Sequence, residues 1–213
     1  MASRPLHLYV DLARQSDGPL VELAVGNGRV TIPVARTTGQ RVIGLDRSPV
    51  MLEQARDAAA AAGVELDLRE GDMRDVILDE PTALTYCPAR PLLHLQTGAD
   101  RRRKFERVAA ALRPGGRFAW NAVAFDHRFA ANAGGVRRNE PIPHTTHCAV
   151  GDNRIDIVMD NGARSSLWWE TKNEWLVSRS QMGPGVRLHR PALISSIHGT
   201  GRPFRIEVAP TFR

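Results

Sequence analysis

Apolar residues recur along the first half of the chain in two alternating rhythms. Leu6, Leu8, Tyr9, Val10, Leu12 and Ala13 fall at helical spacing and predict an amphipathic leading helix. Leu20, Val21, Leu23 and Val25 then form a short apolar run, interrupted by Glu22 and stopped by Gly26-Asn27-Gly28, as expected of a strand entering a tight turn. Val30, Ile32, Pro33, Val34 and Ala35 follow as the first turns of a helix, where Pro33 is tolerable near the start. Val42, Ile43 and Leu45 give a second strand closed by Asp46. Ser48-Pro49 supplies an N-cap and a first helical residue, and the helix runs through Met51, Leu52, Ala55 and an alanine block to Gly63. A third strand is expected over Val64, Leu66 and Leu68 and a fourth over Pro81–Cys87. A helix from about Asp100, with Phe105, Val108, Ala109 and Leu112 on one face, ends at Pro114-Gly115-Gly116; Phe118, Trp120 and Ala122 make a fifth strand. Strands alternating with helices imply an α/β fold, a doubly wound sheet with helices on both faces.

The rhythm changes in the second half. Asp126 to Glu140 reads as an irregular segment around Gly134-Gly135. Ile155, Ile157 and Val158, with Leu167, Trp168 and Trp169, read as strands of a small antiparallel insertion turning at Asn161-Gly162. Neighbouring strand residues point to opposite faces, so at most one of the paired tryptophans faces a pocket. Lys172 to Leu176 begins a further helix. From Ser178 onward only scraps of strand pattern remain, at Ala192 to Ile197 and Phe204 to Val208. The expected organisation is a domain over residues 1–177, with its insertion at about 126–170, and an atypical basic tail over residues 178–213.

Charge sharpens that division. The net charge is +6 and the isoelectric point about 10.3, which suggests anionic partners. The tail, however, carries six arginines against one acid, Glu207, whereas the rest of the chain is nearly balanced. Only Lys104 and Lys172 are lysines, and arginine with abundant Ala, Gly and Pro points to a GC-rich bacterial genome. The sequence shows no secretion signal and no apolar run of membrane length, so a cytoplasmic protein with Cys87 and Cys148 as reduced thiols is expected. Arg101-Arg102-Arg103-Lys104 reads as a solvated helix face. His144, His147 and Cys148 lie in an extended segment, where residues three apart face opposite ways, so no metal site is expected.

The candidate chemistry lies between Leu20 and Asp46. A glycine turn after a first strand lets backbone N–H groups approach a ligand, and an acid ending the second strand can accept both hydroxyls of a ribose. Nicotinamide or flavin dinucleotides and S-adenosylmethionine both use that geometry. A dinucleotide site calls for a third glycine where Thr31 stands. Glu22, ending the first strand, would repel phosphates and attract an ammonium and a sulfonium.

The run Glu22-Leu23-Ala24-Val25-Gly26-Asn27-Gly28-Arg29 resembles the first motif of the class I S-adenosylmethionine-dependent methyltransferases, with Ala24 in place of that motif's first glycine. The resemblance extends over roughly Leu20 to Asn121 and includes Leu112-Arg113-Pro114-Gly115-Gly116 before a strand. It implies a Rossmann-like methyltransferase sheet and a cofactor set of Glu22, Ala24, Gly26, Gly28 and Asp46, with Arg47 beside Asp46. It further implies that Asp72 takes the adenine amine, that the Met73 amide takes a ring nitrogen, that Cys87 ends the fourth strand at the site and that Tyr9 covers the methionine moiety. His94, just beyond the fourth strand, is the candidate catalytic base. A small-molecule acceptor is expected. A nucleic-acid acceptor is disfavoured, since Cys87-Pro88-Ala89-Arg90 stands where amino-methylating nucleic-acid enzymes carry N/D-P-P-Y/F; a dinucleotide oxidoreductase is disfavoured by Thr31 and Glu22. The closing β-hairpin of such a sheet is expected to be missing or irregular, from a degenerate or frame-shifted tail, which leaves a non-catalytic binding protein as the alternative.

Overall fold

The computed structural model describes residues 4–123, 134–137, 143–169, 186–189 and 203–210. Helix α1 (Arg4–Arg14) leads into β1 (Leu20–Leu23), α2 (Thr31–Thr38), β2 (Val42–Asp46), α3 (Pro49–Ala61), β3 (Asp67–Glu70) and β4 (Thr82–Cys87). A 3-10 turn at Pro91–His94 and helix α4 (Gly98–Ala111) precede β5 (Leu112–Val123). Parallel pairings set the order β3-β2-β1-β4-β5, so the chain reverses direction across the sheet beside β1.

The strand sequences explain their places. All four residues of β1 and all six of β4 are buried, as covering a strand on both faces requires. Leu20 and Tyr86 join Tyr9, Leu12 and Val34 under α1 and α2, whereas Val21, Leu23 and Cys87 join Phe105, Phe118 and Trp120 under α4. At the far edge, β3 is charged. Arg41 and Arg69 bracket Asp67 at 2.7 and 2.9 Å, protecting an edge that would otherwise invite pairing.

Helix α3 starts as its sequence predicts, with Ser48 accepting from the Met51 amide and Pro49 in the first turn. Three points differ from expectation. β3 begins at Asp67 rather than Val64, because Val64 closes the end of α3 through its N–H to Ala59. Residues 112–116 belong to β5 instead of forming a turn, a shift absorbed by an irregular register between Thr82 and Leu84. The basic run on α4 is a solvated face only in part: Arg102 and Arg103 are exposed, Arg103 pairing with Asp75, but Arg101 donates to the Leu95 carbonyl at 2.7 Å and Lys104 is fully buried.

The insertion is a second, antiparallel sheet, in order β6 (Gly135–Arg137), β7 (His144–Ala149), β8 (Arg154–Met159) and β9 (Arg164–Trp168). Its turn at Asn161-Gly162 has Gly162 at φ 85°, and the Ala163 carbonyl accepts from Met159 at 2.8 Å. Ile155 and Trp169 enter the α4-side core, and β9 packs on the 3-10 turn. The irregular reading of Asp126 to Glu140 is corrected at Gly135–Arg137, which pairs with β7; the rest of that segment lies outside the described residues, as does the helix expected at Lys172 to Leu176.

The expected loss of the closing strands is also corrected. β10 (Val186–His189) pairs antiparallel with β11 (Pro203–Pro210), and β11 runs antiparallel along β5, from Pro203 opposite Val123 to Val208 opposite Phe118. The sheet therefore has seven strands among the described residues, and β5 is not an edge. The strands hold only two of the tail's six arginines, Arg187 and Arg205, so the basic composition of the tail does not reach the pairing itself, and residues 190–202 separate the two partners in sequence. Among the described residues no helix is long and apolar enough to cross a membrane.

Candidate active site

At the carboxyl ends of β1, β2 and β4, where the strand order reverses, lies a cleft of about 660 Å³. Open α/β sheets take their ligands at this position. The turn after β1 contributes Ala24 and Gly26, and the end of β2 contributes Leu45, Asp46 and Arg47. Gly71, Asp72, Met73 and Arg74 follow β3. Pro88, Ala89, Pro91, His94, Leu95, Gln96 and Asp100 form the opposite wall, with Met51 at the rim.

Asp46 organises the first wall. Its Oδ2 accepts the Gly26 N–H at 2.8 Å and its Oδ1 accepts the Ser48 N–H at 2.9 Å. The carboxylate is thus fixed in plane, and each oxygen keeps a lone pair for a further donor. Gly26 has φ 55°, and a Cβ built there would meet nothing within 4 Å, so the space above its backbone is open to a ligand. Gly28 serves packing instead: a Cβ would come within 2.8 Å of Ile32. Ala24, where the resembled motif has glycine, adopts the left-handed φ of 56° despite its side chain.

Asp72 sits in the turn after β3 and is held by Arg74. Oδ1 accepts from the Arg74 backbone N–H at 2.9 Å and from Nε at 3.0 Å, and Oδ2 accepts from Nη2 at 2.6 Å. These bonds lower the Asp72 pKa below the usual carboxylate value. Arg74 also donates to Asp100 on α4 at 3.0 Å, while Arg47 approaches Asp72 at 3.6 Å.

His94 ends the 3-10 turn on the second wall, and desolvation lowers its pKa, leaving a neutral imidazole at pH 7. Beside it Ala89 and Arg90 have φ of 62° and 66°, two consecutive left-handed residues that each cost about 1 kcal/mol or more. Such strain persists only where surrounding structure enforces it.

The structure brings Ala24, Gly26, Asp46, Arg47, Asp72, Met73 and His94 together on the cleft. Tyr9, Glu22, Gly28 and Cys87 do not line it. Tyr9 is 1 % exposed and packs on Tyr86, with ring centroids 5.4 Å apart. Glu22 lies beside Tyr86 across the β1–β4 pairing and accepts a hydrogen bond from Thr31, the residue standing where a dinucleotide motif has glycine. Burial raises its pKa to about 8. Cys87 is fully buried next to Lys104, whose Nζ sits 4.3 Å above the Phe118 ring. Sequence reasoning missed Arg74, Gln96 and Asp100; the Asp72-Met73-Arg74 succession was the one available signal, since an arginine two residues beyond an aspartate can reach back to it.

The donor set fits S-adenosylmethionine: a fixed carboxylate for a diol, an acceptor and a backbone amide for a purine edge, and open space over Gly26. Residues 20–116 match the family model described as a methyltransferase domain. No curated protein matches the chain by sequence. Among solved structures, an S-adenosylmethionine-dependent methyltransferase from Clostridium acetobutylicum superposes with a TM-score of 0.79 at 11% identity, over 98% of this chain and 90% of that one. The CcbJ methyltransferase from Streptomyces caelestis gives 0.76 at 18% identity, over 99% and 97%. CalS10, an amino pentose methyltransferase from Micromonospora echinaspora solved with its cofactor bound, gives 0.69 at 21% identity, over 97% and 90%. The strand order, the antiparallel insertion and these superpositions show that the chain has the class I S-adenosylmethionine-dependent methyltransferase fold.

Proposed function

We propose that this protein transfers a methyl group from S-adenosylmethionine to a small-molecule acceptor. The observation that carries this reading is Asp46, whose carboxylate is locked to the Gly26 amide and faces the same cleft as Asp72 and Met73. S-Adenosylmethionine, when bound, supplies an electrophilic methyl group on a sulfonium whose leaving group is a neutral thioether. The chain therefore has to position, desolvate and remove a proton rather than protonate a leaving atom. Asp46 would hold the ribose hydroxyls, with Asp72 and the Met73 amide on the adenine. Ala24 and Gly26 would border the methionine moiety. An imidazole nitrogen of neutral His94 would accept the proton that the nucleophile releases.

The acceptor wall supports a small molecule. It is a short stretch of Pro88, Ala89, Pro91 and Leu95 backed by the insertion, and the basic run of α4 is largely tied up in the protein's own contacts. Solved neighbours are named as an amino pentose methyltransferase and a glycopeptide N-methyltransferase, which directs the search toward amine-bearing acceptors. We further read residues 1–177 and the strands beyond them as one methyltransferase domain, working in the cytoplasm. A non-catalytic binding protein had its ground in missing closing strands, which β10 and β11 supply.

Isothermal titration tests the cofactor, with S-adenosylmethionine and S-adenosylhomocysteine expected to bind at micromolar concentrations. Binding of a nicotinamide or flavin dinucleotide in their place would overturn the reading. Radiolabelled methyl transfer to a panel of amino sugars and other small amines then tests the reaction. Cofactor binding without transfer to any amine or hydroxyl compound returns the binding-protein alternative.

A further inference from the structure

We infer that Arg74 is the residue that sets base specificity in this cleft, by clasping Asp72 so that it presents an acceptor-only carboxylate to the purine edge. The inference rests on the proposed cofactor and extends it to a residue that does not itself match the family's motif. The geometry is a two-sided clamp. Arg74 Nε lies 3.0 Å from both Asp72 oxygens, Nη2 lies 2.6 Å from Oδ2, and the remaining nitrogen, Nη1, reaches Asp100 Oδ1 at 3.0 Å on α4. The side chains of Asp72, Asp100 and Arg74 are only 19%, 24% and 34% exposed. A planar guanidinium gripping a carboxylate fixes its rotation as a point charge cannot. Anchorage on Asp100 in turn ties the turn after β3 to the second wall, 26 residues away in sequence.

The consequence is chemical. An ionised carboxylate accepts hydrogen bonds and donates none. A 6-aminopurine offers it an N–H, whereas a 6-oxopurine turns an oxygen toward it and sets two acceptors face to face with no proton between them. Sites built around one hydrogen-bond polarity reject the opposite polarity strongly when the groups are desolvated. Released from Arg74, Asp72 can rotate away or take up a proton and donate to the 6-oxo group, so discrimination falls.

The test compares dissociation constants for S-adenosylhomocysteine and its deaminated counterpart, S-inosylhomocysteine, by isothermal titration on the wild type, Arg74→Gln and Arg74→Lys. Thermal melting accompanies each protein. The wild type is expected to prefer the amino compound by about 100-fold. Arg74→Gln is expected to reduce that preference to less than about tenfold, and Arg74→Lys, which restores charge without the fork, to fall between them. A merely structural arginine would weaken both ligands together and leave their ratio unchanged; that result overturns the inference. If Arg74→Gln does not fold, the lysine variant decides alone, and a wild-type ratio there overturns it too. A wild type that binds neither thioether brings down the cofactor reading, and this inference with it, whereas a wild type that binds both equally brings down only the inference.

Discussion

The two walls of the cleft are built by different means. On the wall that follows β1, β2 and β3, carboxylates are pinned by backbone amides and by an arginine fork, each at hydrogen-bond distance. On the wall that follows β4, prolines, an alanine in a left-handed conformation and Leu95 surround one neutral histidine. The first arrangement suits a ligand whose polar groups never change. The second gives shape with few fixed polar demands, which suits an acceptor that differs from one enzyme to the next. Glu22 is buried behind the first wall and Lys104 behind the second, and these provide the sharpest ways to separate the two.

The largest effect is expected at Glu22. Desolvation, opposed by the hydrogen bond from Thr31 and by the nearby Tyr86 hydroxyl, raises its pKa from 4.5 to about 8. Below pH 4.5 folded and unfolded chains both hold the proton, and between 4.5 and 8 only the folded chain does. Stability therefore falls as pH rises through that window and levels off above it. Glu22→Gln removes this slope, and the variant should gain on the order of 3 kcal/mol over the wild type at alkaline pH. Urea midpoints measured at acidic and alkaline pH check this, and parallel pH profiles for the two proteins would refute it.

Asp46 tests the same wall from its ligand side. Asp46→Ala should weaken S-adenosylhomocysteine binding by about 2 kcal/mol, roughly 30-fold, the cost of losing a charged hydrogen-bond partner. Because Gly26 and Ser48 lose their acceptor as well, the melting temperature should also fall. Unchanged affinity by titration would remove Asp46 from the site.

Behind the second wall, Lys104 is expected to act with the opposite sign. Burial lowers its pKa from 10.5 to about 8, so the unfolded chain binds the extra proton between those values and stability rises with pH across them. At neutral pH the buried ammonium is a standing cost. Lys104→Met, which keeps the packing on Phe105 and Phe118, should stabilise the protein by between about 1 and 2 kcal/mol. Denaturant titration at pH 7 reads the difference, and a less stable variant would show that the ammonium–ring contacts outweigh desolvation.

What was legible in the sequence follows the same division. The first wall is local: a strand, a glycine turn and an acid 20 residues later are contiguous signals, and Gly26 and Asp46 emerged from them, whereas Asp72 followed from the family resemblance. The second wall depends on pairs remote in sequence, such as Arg74 with Asp100 and β9 with the 3-10 turn, which no period or spacing reveals. Glu22 shows an intermediate case. Its place at the end of β1 could be read from the pattern, but its partner Thr31 lies on the next helix, and only their pairing shows that the carboxyl is buried rather than presented to a ligand. The closing strands were legible only in part: Phe204 to Val208 shows strand pattern and lies within β11, but β10 at Val186–His189 does not stand out, and β11 finds its partner β5 some 80 residues earlier.

The smallest effect concerns strain that both walls share. Ala24 on the first and Ala89 on the second are non-glycine residues at φ of 56° and 62°. In that region an alanine side chain crowds its own backbone by roughly 1 kcal/mol, although glycine would lose more freedom on folding, which offsets part of the gain. Ala24→Gly and Ala89→Gly are each expected to stabilise the chain by about 0.5 kcal/mol, raising the melting temperature by roughly 1 to 2 °C. Their effects on the ligands should differ. At Ala24 the methyl group borders the space over Gly26, so its removal should change S-adenosylhomocysteine affinity by no more than about threefold, the scale of a single lost methyl contact. At Ala89 cofactor affinity should not move, while KM for the acceptor should rise as the wall loses its fixed shape. A larger loss of cofactor affinity at Ala89 than at Ala24 would show that the two walls are not divided between cofactor and acceptor as their construction implies.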